Sequence, residues 1–355
     1  MRTLIFGGLL GLLLALVLVG GSIYFNSNSA LLDPLELTSA VDLAPLLKAR
    51  IVSPLTLSSV ADKTLTSLDS IPRYLSFEPN TGQVFAARNA TTSFSPASFT
   101  KLLSAQVALD LVPLPQNLRV FREATLKEPT ILGIKMGEQF TLAELLRASI
   151  ATSANDAATN IGLASIALYG QTGDQFLVAM NQKAQLLGMT SSNFASFDGL
   201  DMPNQQTTMV DLVKLVRNTI SLYPEIISAA ASDRQDIEKN QFHGRYYISN
   251  WNGLLKIYPG VYGLKIAYTG QAGYGTIVVS KREGKQVVAI VSGADSIPER
   301  DLAAAALLDA GFIAQGVSPA RITRDKLRPR YQEWTDLINQ TKRELEAIEK
   351  TKQNQ

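Results

Sequence analysis

The chain has no cysteine and a single histidine, His243. Without cysteine no disulfide forms, and a zinc site built from Cys and His is excluded. A hydrolase dependent on a histidine base would have to use His243, so a lysine or a carboxylate is the better candidate for that role. Excess charge of one sign is lacking too. The formal net charge is +2 over 355 residues, which offers no concentrated basic face, so nucleic acid is not an expected partner. Hydrophobic residues make up 46%, enough at this length to build one large core or two modest ones.

One long apolar run is present. Leu4 to Phe25 follows Met1-Arg2-Thr3 and spans 22 residues, about 33 Å as a helix at ~1.5 Å per residue. That exceeds the usual apolar region of a cleaved signal, and Ser27-Asn28-Ser29-Ala30 is a poor cleavage site. Residues 1–25 are therefore expected to be a transmembrane anchor, with a cleaved signal as the alternative. Arg2 precedes the run and Asp33 and Glu36 follow it, which favours the N-terminus inside and the bulk outside. Residues 26–70, rich in Ser, Pro, Thr and Leu, read as a linker to a domain over 71–317. Residues 318–355 form a charged tail. Its Tyr331, Trp334, Ile338, Thr341, Leu345 and Ile348 alternate at spacings of three and four. That is an amphipathic helix lying on its own domain, with self-association or contact with a membrane surface as alternatives.

Within the domain, Arg73–Glu78 and Gln83–Arg88 read as a hairpin about the turn Pro79-Asn80-Thr81-Gly82. Phe99, Leu102, Leu103, Val107 and Leu111 mark one buried helical stripe, which Gln106 interrupts. Helical patterns continue to about Leu222, with a capping box at Thr141-Leu142-Ala143-Glu144. Strands return at Val261–Thr269, Gly275–Lys281 and Lys285–Ser292, and Asp301–Ala310 is helical. This order predicts an α+β fold: one sheet built from both ends of the domain, with a helical subdomain between them.

Three small motifs carry chemistry. Ser98-Phe99-Thr100-Lys101 places a hydroxyl and an amine on neighbouring turns of one helix face, with the serine at the helix start. The lysine can take the hydroxyl proton if burial or a second cation depresses its pKa. Ser153-Ala154-Asn155 supplies a second hydroxyl and an amide; Ser191-Ser192-Asn193 has the same form. Lys265 lies on a candidate strand, where it would bind a carboxylate and help depress the Lys101 pKa. Ser-x-x-Lys, Ser-x-Asn and a Lys-led strand together form the triple element of penicillin-binding proteins and β-lactamases.

Further segments make the resemblance specific. Ser95-Pro96-Ala97-Ser98-Phe99-Thr100-Lys101, Leu132-Gly133-Ile134-Lys135-Met136-Gly137-Glu138, Ser153-Ala154-Asn155-Asp156-Ala157-Ala158, Leu187-Gly188-Met189-Thr190, Gly199-Leu200-Asp201 and Tyr258-Pro259-Gly260-Val261-Tyr262-Gly263-Leu264-Lys265 stand in this order. Together they resemble the serine-type D-alanyl-D-alanine carboxypeptidases, the low-molecular-mass penicillin-binding proteins of peptidase family S11, over about residues 72–313. The resemblance implies a β-lactamase-like transpeptidase fold and selects Ser153 over Ser191. It implies Ser98 as nucleophile, Lys101 as base and Ser153 as proton relay, with Asn155 and Lys265 on the substrate and the N–H groups of Ser98 and Tyr268 as oxyanion hole. It further implies peptidoglycan stem peptides and β-lactams as partners, a location outside the cytoplasmic membrane, and no metal or organic cofactor.

The sequence also departs from the family. Lys265-Ile266-Ala267 stands where the family has Lys-Thr-Gly, so the hydroxyl that would bond the substrate carboxylate is missing; Thr269 is a candidate replacement. Tyr262 replaces an Asp, and Gln205 stands at the place of a His. His243 is at no landmark and reads as an ordinary histidine. Two alternatives follow: a catalytically impaired wall-binding protein that keeps the fold, and a β-lactamase-like hydrolase.

Overall fold

A computed structural model describes residues 42–50, 65 and 68–353, with side chains omitted at 341 and 344–353. The expected anchor at 1–25 and most of the linker lie outside these residues. Among the described residues no helix is long and apolar enough to cross a membrane.

Both ends of the domain build one sheet. The hairpin β1 (Arg73–Phe77) and β2 (Val84–Arg88) is joined by β7 (Val261–Thr269), β8 (Gly273–Arg282) and β9 (Lys285–Ala294). A minor hairpin β3 (Asn117–Arg119) and β4 (Gln139–Thr141), and another, β5 (Arg234–Ile237) and β6 (Tyr246–Ser249), lie outside that sheet. The five-stranded antiparallel sheet runs β2-β1-β9-β8-β7. The first hairpin therefore pairs with the last strand, Leu75 opposite Ile290, and β7 is left as an edge. Val287 to Val291 is buried throughout, because both faces of this strand are covered.

The helical block comprises α1 (Thr100–Leu111), α2 (Leu142–Arg147), α3 (Asn155–Ala167), α4 (Gly173–Leu186), α5 (Met209–Leu222) and α6 (Pro224–Ala231). The capping box is present: Glu144 N–H donates to Thr141 Oγ1 at 3.2 Å and Thr141 N–H donates to Glu144 Oε2 at 2.8 Å. The expectation of a single buried stripe on α1 needs correction. All of Thr100 to Ala108 is buried, because the helix is packed on every side. Gln106, which interrupts the stripe, is fully buried and satisfied: its amide donates to Leu215 O and Thr219 Oγ1 and accepts from Asn218.

Two helices follow the sheet, α7 (Ile297–Ala314) and the tail helix α8 (Arg324–Gln353). Leu327 is fully buried in the cluster that α7 makes against the sheet. Arg330 is buried as well, paired with Asp233 and Glu333 and donating to Asn250 O. The N-terminal half of the tail thus lies on its own domain. The seam positions from 341 on lie outside the described side chains.

Candidate active site

Ser98 sits in a short 3-10 turn, Ala97–Phe99, that runs directly into α1. Ala97 has φ +46°, a left-handed backbone that turns the chain sharply just before the nucleophile position. Lys101 is one turn on and fully buried. Its Nζ lies 2.9 Å from Ser98 Oγ, 2.7 Å from Asn155 Oδ1 and 2.5 Å from the Asp198 carbonyl. Burial lowers its pKa to about 8; Asp198 opposes that shift and Lys127 adds to it.

The Asp198 carbonyl reaches Lys101 because Gly199 follows it. Gly199 has φ +86°, and a Cβ there would lie 1.8 Å from Ala97 O. The Asp198 carboxylate is fully buried and pairs with Lys127 at 2.7 Å. Lys101, Lys127 and hydrogen bonds hold its pKa below the usual carboxylate range despite its burial. Asp198 and Lys127 were not singled out in the sequence; Asp198 directly precedes the quoted Gly199-Leu200-Asp201, and no signal marked Lys127.

Ser153 ends a π-turn over Ala148–Thr152 in the left-handed conformation, φ 68°, and α3 begins two residues later at Asn155. A serine held there is strained by roughly 1–3 kcal/mol, and Asn155 is fixed beside it. The Asn155 amide donates to Glu128 O at 2.9 Å while its oxygen faces Lys101. The other Ser-x-Asn is structural: Ser192 bonds Asp211 and Asn193 pairs with Gln206.

Ser98, Ser153 and Asn155 line a cleft of about 590 Å³ whose other wall is β7, through Ile266, Ala267, Tyr268 and Thr269. Lys265, on the same strand, is buried and donates to Ile266 O at 3.1 Å. Burial first, then Lys101 and Arg300, push its pKa well below normal. Thr276 Oγ1 donates to Lys265 O on the β8 side. As the edge of the sheet, β7 leaves alternate backbone N–H and C=O groups unpaired on its free side. The Thr269 hydroxyl donates to Asp201 Oδ1 at 2.9 Å and accepts from Ala272 N–H, so its proton is already engaged. Tyr268 is 56% exposed, its ring over Tyr274 at 4.3 Å.

One further cation lines the cleft, Arg300 at the start of α7. Its Nε donates to Asp301 at 2.8 Å and its Nη2 to Trp251 O at 3.3 Å. Tyr331 of the tail helix donates to the other oxygen of Asp301 at 2.9 Å. Arg300 was missed in the sequence because nothing local distinguishes it from a helix-surface arginine. His243 lies elsewhere, stacked on Phe140 at 4.4 Å with Nδ1 donating to Gly244 O. Gln205 is structural, accepting from Ala195 N–H and Ser196 Oγ and donating to Leu200 O.

Residues 58–296 match the profile of the family described as D-alanyl-D-alanine carboxypeptidase, Peptidase S11. The chain belongs to that family. It is 25% identical over 240 residues to D-alanyl-D-alanine carboxypeptidase DacF of Bacillus subtilis, covering 66% of this chain and 60% of that protein. To DacB2 of Mycobacterium tuberculosis it is 32% identical over 211 residues, 59% of this chain and 70% of that one. The match thus spans less than two thirds of DacF. Among solved structures, penicillin-binding protein D2 of Listeria monocytogenes in its ampicillin-bound form superposes with a TM-score of 0.60 at 27% identity, covering 68% of this chain and 97% of that one. The Streptomyces K15 DD-transpeptidase shares the fold, with a TM-score of 0.64 at 24% identity over 68% and 97%. The family match ends at residue 296, so α8 lies beyond it.

Proposed function

We propose that this protein is a serine-type D-Ala-D-Ala carboxypeptidase that removes the terminal D-alanine from peptidoglycan stem peptides through an acyl-enzyme on Ser98. The observation that carries the reading is the 2.9 Å contact between Ser98 Oγ and a fully buried Lys101 Nζ whose pKa is lowered to about 8. About one lysine in ten is then neutral at pH 7, enough to act as a base.

Neutral Lys101 takes the Ser98 proton as Oγ attacks the carbonyl carbon of the penultimate D-Ala. The developing oxyanion meets the N–H groups of Ser98 and Tyr268. The C–N bond breaks and the departing nitrogen takes a proton from Lys101, relayed through Ser153, leaving as free D-alanine. Water then adds to the ester and gives its proton to Lys101. The acid departs, and Ser98 Oγ regains its proton. Arg300 and Lys265 hold the terminal carboxylate. The anchor at residues 1–25 would hold the enzyme to the membrane with its catalytic domain in the cell envelope.

A second reading is favoured by Ile266 and Ala267, which remove a hydroxyl from the carboxylate side of the cleft: a protein of this fold that binds wall peptide with little turnover. The test is D-alanine release from an N-acyl-L-Lys-D-Ala-D-Ala peptide, beside Ser98→Ala. Release by wild type alone supports the enzyme. Binding without release by folded wild type supports the second reading.

A further inference from the structure

The cleft is lined by two unlike sets of residues. Ser98, Ser153 and Asn155 are the polar set around acylation. Trp251, Ile266, Ile297, Tyr331, Trp334 and Ile338 are an apolar and aromatic set that forms a wall. Half of that wall comes from the tail helix, beyond the family match. Trp334 packs edge-on against Trp251 with centroids 5.4 Å apart, and Tyr331 lies 5.4 Å from Trp334. The wall is held firmly: Arg330 lies over the Trp334 ring at 5.2 Å while pairing with Asp233. Gly253 leaves space where a Cβ would come within 1.9 Å of Asp301 Oδ2, the oxygen that Tyr331 bonds. Ile266 belongs to the same surface. The isoleucine that removes a hydroxyl from β7 therefore continues an apolar face that the tail helix supplies.

We propose that this wall is a subsite for a large apolar side chain on the D-amino acid that the enzyme releases, of leucine, methionine or phenylalanine size. The inference rests on the acyl-transfer reading for the orientation of the peptide. With the scissile carbonyl at Ser98 and the terminal carboxylate at Arg300, the side chain of the last residue projects towards Trp334 and Ile338. A methyl group leaves that wall wet, whereas a larger apolar group displaces its water. Apolar pockets discriminate by about 10-fold to 200-fold for each methylene filled or left empty. The wall itself adds no catalytic group; Trp334 and Ile338 are specificity residues.

Binding to the full-length Ser98→Ala protein tests this without turnover. Calorimetry would compare N-acyl-D-Ala-D-Xaa peptides in which Xaa is alanine, leucine or phenylalanine. Both tryptophans of the chain line the cleft, so intrinsic fluorescence locates the bound side chain. The leucine and phenylalanine peptides are expected to bind at least about tenfold more tightly than the alanine peptide. That gap should shrink in Trp334→Ala and in Ile338→Ala, whose side chain is partly exposed and leaves the fold intact, with the alanine peptide little changed. Equal or tighter binding of the alanine peptide, or a gap that survives both variants, overturns the subsite. The acyl-transfer reading fails by a different result: no covalent adduct of wild type with a penicillin.

Discussion

The pH dependence of Ser98 acylation follows from the setting of Lys101. Its ammonium is fully buried and its pKa is lowered to about 8, chiefly by desolvation. Only the neutral amine can accept the Ser98 proton. The neutral fraction is about one in a hundred at pH 6, one in ten at pH 7 and nine in ten at pH 9. The acylation rate constant with a penicillin should thus rise about tenfold per pH unit below the midpoint and level off above it. Lys127 lowers the Lys101 pKa from a distance and pairs with buried Asp198 at 2.7 Å. Removing Lys127 takes away a cation and leaves the Asp198 charge unopposed, and both changes raise the Lys101 pKa. Lys127→Ala should therefore move the profile to higher pH. Lys101→Arg keeps its proton at every usable pH and should acylate about 10²-fold to 10⁴-fold more slowly. Stopped-flow acylation from pH 6 to 9 measures all three proteins. A flat wild-type profile, or a Lys127→Ala midpoint shifted to lower pH, would refute lysine as the base.

Three more outcomes are expected. Ile266→Thr with Ala267→Gly should restore a hydroxyl beside Arg300 and raise kcat/KM on a D-Ala-D-Ala peptide by about 10-fold to 100-fold, in line with ~1–3 kcal/mol for such a bond; a slower double variant contradicts this account of β7. Tyr331→Phe removes one bond to Asp301 and should loosen Arg300, weakening peptides with a free carboxylate about fivefold for ~1 kcal/mol while leaving C-terminal amides unchanged. Lys183 is wholly buried against Asp110 and Tyr223, so Asp110→Ala strands a buried cation and should cost about 3–5 kcal/mol in denaturant unfolding; a loss below 1 kcal/mol would mean that water reaches Lys183.

Much of this arrangement was legible in the sequence because it rests on local backbone rules. The capping box at Thr141, the hairpin about Pro79-Asn80-Thr81-Gly82 and the limits of Val261–Thr269 follow from turn residues and alternation, and each appears in the structure. The segment Leu132-Gly133-Ile134 and the segment around Asp156 could be recognised only as parts of one ordered pattern. Their physical link is tertiary: the Asp156 carboxylate accepts the N–H groups of Leu132, Gly133 and Ile134 at 2.9, 2.7 and 3.2 Å. Periodicity misjudged α1, since a helix packed on all sides loses the contrast between its faces. The Lys127–Asp198 pair was not visible because its partners stand 71 residues apart by number and share no motif. The tail showed an apolar seam from Tyr331 to Ile338, yet no spacing rule states which surface a seam covers. That it walls the cleft beside Ile266 depends on Arg330 docking on Asp233.

The central claim is that Ser98 is an activated nucleophile. Intact mass spectrometry of the full-length protein with a fluorescent penicillin, beside Ser98→Ala, tests it most directly. The account predicts one stable penicilloyl adduct on wild type and none on the variant. Folded wild-type protein that stays unmodified, or an adduct that persists in Ser98→Ala, would contradict it.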